Sequence, residues 1–150
     1  MKVTIKVEGL SEIADAFEEL PKAVGKSIMR KILMARAKVI AEAAKSYVPV
    51  RSGTLRDSII ASTRLSSRQR RDAKNAASYV EVYAGAGPLP YSHLVEFGSI
   101  HEPQPEPFIR PAWDSVKGSL LATIKDDLWV EIRKAADRID GKAARLKAKG

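Results

Sequence analysis

Two long stretches of the sequence place an aliphatic residue at every third or fourth position, and this spacing constrains the fold more than any other feature. One stretch covers residues 21–48 and the other begins at residue 111 and reaches residue 139. Residues with this spacing lie on one face of an α-helix, and an apolar face must be buried. The sequence therefore predicts two long helices. The apolar face of the first is broad enough to predict contacts on more than one side.

Three shorter segments have the character of strands and predict a small antiparallel sheet. Residues 3–7 and 79–84 alternate polar and apolar side chains, and residues 58–65 are rich in β-branched side chains. Alternation is typical of a half-buried strand. The second and third segments flank a polar stretch at residues 66–77, which predicts a hairpin with a long loop. We also expect a short helix capped by Ser11, a structured loop at residues 50–55 and a short helix at residues 91–97.

The prolines at positions 103, 105, 107 and 111 predict an extended arm before the last helix. The predicted fold class is thus α+β, with a small antiparallel sheet packed against two long helices and an extended proline-rich arm. A chain of 150 residues has the length of about one domain. We expect a single α+β domain over residues 1–141, with a flexible basic hairpin insert at about 66–77. Residues 142–150 form a basic tail that we expect to be frayed or disordered in the isolated protein.

The composition argues against most kinds of catalytic or metal site. The chain has no cysteine and only two histidines, which excludes disulfides, thiolate nucleophiles and cysteine-ligated metals. His93 and Glu96, followed by His101 and Glu102, match no metal-binding signature. No G-x-S-x-G motif is present, and no apolar run approaches the ~20 residues that span a bilayer. We predict no enzymatic activity, no cofactor, no metal and no membrane association.

Charge is distributed unevenly along the chain. Twenty-six basic residues against eighteen acidic ones give a net charge of +8, with the acids crowded near the start and the bases at residues 26–45, 64–74 and 133–149. This asymmetry suits head-to-tail packing of identical subunits, and it equally suits nearby nucleic acid. The insert either contacts DNA, or it is a solvent-exposed hairpin loop or a segment that orders against a partner. Its candidate contacts with DNA are Arg68, Arg70, Arg71 and Lys74.

Four short motifs occur in a fixed order along the chain. They are VEGL at residues 7–10, PVRSGTLRDS at 49–58, YSHLVEFG at 91–98 and PFIRPA at 107–112. In this order and spacing they resemble the neck and tail-completion proteins of long-tailed, non-contractile bacteriophages. The resemblance covers the chain from Val7 to Trp113. The basic insert and the tail after Gly141 lie outside the family pattern.

The resemblance implies a structural virion protein without catalysis, located at the head-tail junction and in the host cytoplasm during assembly. It implies a homo-oligomeric, hexameric ring around the DNA channel, with the head connector and the tail tube or tail terminator as partners and non-specific contact with packaged DNA. The alternative is a basic nucleic-acid-binding module, and a small hydrolase is a third reading. The candidate residues for a subunit or partner interface are Tyr91, Glu96, Phe97, Pro107, Phe108, Arg110 and Pro111.

Phe108 is the predicted anchor of this interface. Pro107 and Pro111 fix their own φ angles and favour extended backbone in the residues before them, so the arm loses little entropy when it docks. The pocket for the phenyl ring lies either in the same subunit or in its neighbour. We favour the neighbour, because four prolines within nine residues make a long spacer for a local contact.

Overall fold

The computed structural model describes residues 10–51, 53–65, 67, 70, 80–101 and 103–150. Two strands, β1 (Ile59–Ser62) and β2 (Tyr83–Ala86), pair antiparallel with Ile59 opposite Ala86 and Ser62 opposite Tyr83. The predicted α+β fold class, with long helices and a small antiparallel sheet, is confirmed. The elements in chain order are α1 (Leu10–Glu18), α2 (Lys22–Tyr47), α3 (Thr54–Ser58), β1 (Ile59–Ser62), β2 (Tyr83–Ala86), α4 (Ser92–Phe97) and α5 (Ile109–Lys149).

The chain divides into two compact units, each with its own hydrophobic core. The first unit comprises Met1–Ile32 and Leu121–Gly150, and the second comprises Leu33–Leu120. The buried residues of the first core are Ile13, Leu20, Ile28, Ile32, Leu128, Ile132 and Ala135. Those of the second core are Ala41, Ala44, Val48, Leu55, Ile59, Phe108 and Ala112.

In the first unit, α1, the beginning of α2 and the later part of α5 meet through aliphatic side chains. Pro21 precedes α2, and its carbonyl oxygen accepts hydrogen bonds from the N–H groups of Val24 and Gly25 at 2.9 and 3.1 Å. At the surface, Glu131 accepts hydrogen bonds from Lys31 at 2.9 Å and Lys134 at 3.2 Å. These two ammonium groups lower the pKa of the Glu131 carboxyl from its ordinary value.

In the second unit, small side chains on α2 face the start of α5. Ala41 and Ala44 on α2 and Val48, which directly follows it, recur at intervals of three and four and are buried. Their short side chains leave room for larger groups from other elements, and the largest fully buried side chains are Phe108 and Ile59. This core holds the sheet and the start of α5 against the second half of α2.

Two short elements differ from the sequence-based expectation. Helix α1 begins at Leu10, so Ser11 lies inside the helix and does not cap it. A helix, α3, covers Thr54–Ser58 and so includes the last two residues of the loop expected at 50–55. Gly53 precedes it with a φ of 77°, and its carbonyl oxygen accepts the Asp57 N–H at 2.9 Å. A helix of about one turn is too short to produce a readable period.

The hairpin is present, with β1 inside the predicted segment 58–65, but its second strand lies further along the chain than the pattern predicted. Ser58 ends α3, and β2 covers Tyr83–Ala86, so the second strand continues two residues past the predicted segment 79–84. Ala86 pairs with the fully buried Ile59 and packs against the second core. The position of β2 is thus set by the contact of Ala86 with the core and not by the alternation of polar and apolar residues at 79–84. Gly87 then donates its N–H to the Ser58 carbonyl at 2.8 Å.

Helix α5 is longer than predicted at both ends. It begins at Ile109, two residues before Pro111, and continues through Gly141 to Lys149. An exposed glycine inside a helix costs only about 1 kcal/mol relative to alanine. The lysines, alanines, arginine and leucine after Gly141 are good helix formers, so the helix continues past it.

Some expectations fall outside the described residues. These are the strand at residues 3–7, Glu102 and most of the basic insert, including Arg68, Arg71 and Lys74. Arg70 is described and exposed, and its Nη2 donates to the Leu65 carbonyl at 3.4 Å.

The lowered pKa of Glu131 predicts a pH-dependent contribution to stability. A carboxyl whose pKa is lower in the folded state contributes stability above its unfolded-state pKa and loses it as the pH falls through the folded-state pKa. We expect Glu131→Gln to lower the free energy of unfolding by about 0.2–1 kcal/mol at neutral pH, as for other exposed ion pairs. Below the ordinary glutamate pKa of about 4.3 the difference should shrink. Urea denaturation across a pH series measures it, with Glu18→Gln as the control. A difference that does not depend on pH would contradict this account.

Candidate functional site

Three of the sequence motifs meet in the second unit around the start of α5. The segment 49–55 follows α2, the motif at residues 91–98 forms α4, and the arm at 103–108 leads into α5. Gly98 follows α4 with a φ of 82°, and its N–H donates to the Leu94 carbonyl at 2.8 Å. A glycine adopts a positive φ at lower cost than any other residue. The chain can therefore leave α4 sharply and return as the arm.

The carboxylate of Glu96 caps the start of α5. Its Oε2 accepts the backbone N–H groups of Phe108 at 2.8 Å and Ile109 at 2.9 Å, and its Oε1 accepts that of Arg110 at 3.1 Å. The first N–H groups of a helix have no acceptor within the helix, and the helix dipole favours negative charge at that end. Glu96, which lies on α4, therefore supplies both the hydrogen-bond acceptor and the negative charge that favour the start of α5.

The remaining donors at this helix end are also accounted for. Pro111 has no N–H, and the Ala112 N–H donates to the Phe108 carbonyl at 3.4 Å. Before the helix, the Glu106 N–H donates to the Val95 carbonyl at 2.9 Å. The arm and the first turn of α5 are thus bonded to α4 by four hydrogen bonds.

The ring of Phe108 lies in the core of its own chain. The residue is 1% exposed and packs in the cluster that contains Ala44, Val48 and Leu55. This corrects the expectation of a pocket in a neighbouring subunit. The physical reason is that Glu96 and Val95 hold the arm against α4, which places the ring beside the small side chains of α2. The prolines shape a contact within the chain.

The motif at residues 49–58 also builds the fold. Leu55 is buried in the second core. The Ser58 hydroxyl donates to the Leu55 carbonyl at 2.7 Å, and the Ser58 carbonyl accepts the Gly87 N–H. Gly53 supplies the positive φ before α3. The glycine, leucine and serine of this motif are therefore structural residues.

A cavity of about 560 Å³ opens beside these motifs. It is lined by Pro49 and Leu55 before and within α3, by Tyr91, Leu94 and Val95 at α4, and by Pro103 and Glu106 of the arm. Arg51, Ser99 and Gln104 also line it, so its wall is both apolar and polar. A concave site of this size suits the insertion of a side chain or short segment from another molecule.

Beside the cavity lies a set of exposed apolar side chains that we call the α4 surface. Its members are Tyr91, Leu94, Phe97 and Ile100, which are 40%, 43%, 69% and 97% exposed. The first three are three residues apart, and Tyr91 and Leu94 also line the cavity. Single exposed apolar residues are common, whereas a group of them marks a contact surface. The α4 surface is therefore the best candidate for partner binding in this unit.

The residues predicted for an interface separate into two groups. Glu96 and Phe108 act inside the chain, and Pro111 is half-buried at the helix start. The others are exposed, namely Tyr91, Phe97, Pro107 and Arg110. The prediction missed Leu94 and Ile100. The three-residue spacing from Tyr91 to Phe97 identifies Leu94 in retrospect, while nothing in the sequence marks Ile100.

The arrangement suits binding rather than metal chemistry. Both oxygens of Glu96 are occupied by backbone N–H groups, and His93 and His101 are exposed. Within the described part of the chain, no three His, Cys, Asp or Glu side chains are placed to hold a metal ion. A search of the same residues finds no helix whose length and apolar character suit a membrane span.

The Glu96 cap should contribute measurably to stability. In Glu96→Ala the three N–H groups lose their acceptor, and each partly buried orphan donor is unfavourable. We expect the free energy of unfolding to fall by about 1–3 kcal/mol, with a smaller loss for Glu96→Gln, which keeps one acceptor oxygen. Chemical denaturation measures the change. Glu106→Ala is the control, because this substitution keeps the backbone bond to Val95. Equal effects at both positions would contradict the cap.

Removal of the Phe108 ring should destabilise the monomer directly. Truncation of a phenylalanine in a filled core to alanine lowers the free energy of unfolding by roughly 3–5 kcal/mol. We expect Phe108→Ala to lower the melting temperature of the monomer, whereas Phe97→Ala should change stability by less than about 0.5 kcal/mol because its side chain is exposed. Calorimetry of dilute protein measures both. An unchanged melting temperature for Phe108→Ala would show that the ring does not support the fold.

Comparison with known protein families identifies the chain. The family model described as "Bacteriophage HK97-gp10, putative tail-component" matches residues 11–98. This range is more than half of the chain and ends at Gly98, before the proline-rich arm and α5. No curated protein and no solved structure is significantly similar to the chain. From the extent of the family match, the chain belongs to the HK97-gp10-like family of bacteriophage tail components.

Proposed function

We propose that the protein is a structural component of the phage head-tail junction, where a homo-oligomeric ring completes the head-proximal end of the tail around the DNA channel. Membership of a tail-component family implies a place in the virion. The observation that carries the finer proposal is the α4 surface, because it presents four apolar side chains to solvent beside an open cavity.

The Glu96 cap makes the α4 surface suitable for assembly. Four hydrogen bonds hold the arm and the start of α5 against α4. A surface that is fixed before contact loses little conformational entropy when a partner binds. Aromatic side chains such as Tyr91 and Phe97 are also enriched at protein interfaces. The surface therefore has the rigidity and the chemistry of a subunit contact.

A closed ring requires each subunit to present two different, complementary surfaces. The α4 surface is one of them in this proposal. The ring consists of copies of this chain, and the family resemblance implies six of them. Its neighbours are the head connector and the tail tube or tail terminator. The role is structural, without catalysis.

The basic residues of the insert face the DNA channel in this proposal. A net charge of +8 favours proximity to packaged DNA without base-specific contacts. The proposed contacts are Arg68, Arg70, Arg71 and Lys74. Such contacts position phosphates and depend strongly on salt.

Removing the α4 surface should block assembly without unfolding the subunit. We expect Phe97→Ser combined with Ile100→Ser to give a protein with an unchanged melting temperature that forms no ring by light scattering. Phage that carry this variant should accumulate unjoined heads and tails in electron micrographs. Val39→Ser combined with Val130→Ser is the matched control, since both side chains are about half exposed and lie elsewhere. Normal rings and joined virions from the first variant would refute the proposed role of this surface.

A nucleic-acid-binding module is the second candidate, and the net charge of +8 is the observation that favours it. That function predicts a monomer that binds duplex DNA with a steep salt dependence and is absent from purified virions. A ring that labels at the neck of the particle favours the structural role instead.

A further inference from the structure

The last turns of α5 extend beyond the core of the first unit while their apolar stripe continues. Leu128, Ile132 and Ala135 are buried, and every residue from 136 to 150 is exposed. Ile139 and Leu146 follow on the same face, because Leu146 lies five turns of about 3.6 residues after Leu128. Their exposures are 40% and 64%. This part of the first unit thus ends in an amphipathic helix with an uncovered face.

A basic stripe runs along one edge of that apolar face. It consists of Arg138, Lys142, Arg145 and Lys149, which are spaced four, three and four residues apart. Residues with this spacing are neighbours on one side of a helix. All four are exposed. The uncovered segment is therefore apolar and basic at the same time.

This combination restricts the kind of partner. A symmetric contact between two such helices places like charges together, which is unfavourable. The phosphates of DNA fit the basic stripe, but they leave Ile139 and Leu146 exposed. A protein surface with acidic side chains and an adjacent apolar edge pairs with the basic stripe and also covers Ile139 and Leu146.

Helix α1 offers such a surface. Glu12 and Asp15 lie on α1, and Glu19 follows its last residue and donates its N–H to the Asp15 carbonyl at 3.3 Å. All three are exposed and spaced three and four residues apart, so they form an acidic stripe on one side of α1 and the turn after it. Ala16 lies beside this stripe and is half-buried at the edge of the first core. The acidic stripe and its apolar edge complement the uncovered segment of α5 in charge and in chemistry.

We propose that the last turns of α5 in one copy of the chain dock on α1 of a second copy. The basic stripe meets Glu12, Asp15 and Glu19, and the apolar pair Ile139 and Leu146 contacts the edge around Ala16. The residues of α5 after Ala135 are exposed in their own chain, so they are available to a neighbour. The contact joins two different surfaces and so repeats around a ring. It rests on the proposed ring and adds a second contact between neighbouring copies.

Charge reversal in the full-length protein tests this docking. One variant carries Arg138→Glu, Lys142→Glu and Arg145→Glu, and the other carries Glu12→Lys, Asp15→Lys and Glu19→Lys. Each should associate with itself at least about tenfold more weakly than the parent in sedimentation velocity at low salt. An equimolar mixture should recover the association, because every contact between unlike variants is again complementary. The matched control reverses Arg30, Lys38 and Arg64 to glutamate.

A second variant and a DNA-binding assay complete the test. Ile139→Ser with Leu146→Ser should weaken association even at high salt, where the charges are screened. A monomeric parent, an unchanged oligomer in both reversed variants, or a mixture that does not recover overturns the docking. Loss of binding to mixed-sequence duplex DNA with an intact oligomer overturns it too and assigns the stripe to DNA. The ring itself is judged separately, by the Phe97→Ser and Ile100→Ser variant and by labelling of virion necks.

Discussion

The second unit depends on one carboxylate and the three N–H groups that it accepts. Without Glu96, the first turn of α5 has three backbone donors with no acceptor inside the helix. With it, the helix start is fixed to α4, and the ring of Phe108 is held in the core. A hydrogen bond from a side chain to the backbone across twelve residues thus decides where a helix of forty-one residues begins.

This cap explains why the family motifs contain residues that do not themselves make the contact surface. Gly98 turns the chain after α4, Glu96 receives the arm, and Phe108 fills the core. The exposed residues between and beside them, Phe97 and Ile100 above all, have no packing role of their own. The motif therefore builds a rigid frame, and in the proposed assembly the exposed residues that this frame carries make the contact with the partner. A change in the frame affects stability first and assembly only as a consequence.

The sequence predicted the long elements well because their stripes extend over many turns. Residues 21–48 form α2 within one residue at each end, and the stripe after residue 111 lies in α5. Helix α3 and the shift of β2 were missed, because a single turn has no period and Ala86 is placed by a tertiary contact with Ile59. The cap was missed for the same reason. Periodic spacing in the sequence shows which residues share a face of a helix or strand. A hydrogen bond from a carboxylate to a backbone N–H twelve residues away produces no such spacing. The sequence singled out Glu96 and Phe108 but did not predict the hydrogen bonds and the packing that these two residues make within the chain.

The two candidate surfaces of the subunit use different physical interactions, and this difference has a consequence for assembly. The α4 surface is apolar, so its contribution changes little with ionic strength, while the stripes on α1 and α5 attract through charges that salt screens within about 10 Å at 0.1 M. Electrostatic attraction acts at a distance and speeds encounter, whereas apolar contacts mainly slow dissociation. A subunit with both would be oriented by its charged stripes before the apolar surface closes. Salt should then slow ring formation more than it weakens the finished ring. This difference is expected when charged stripes govern the rate of encounter and an apolar surface governs the rate of dissociation.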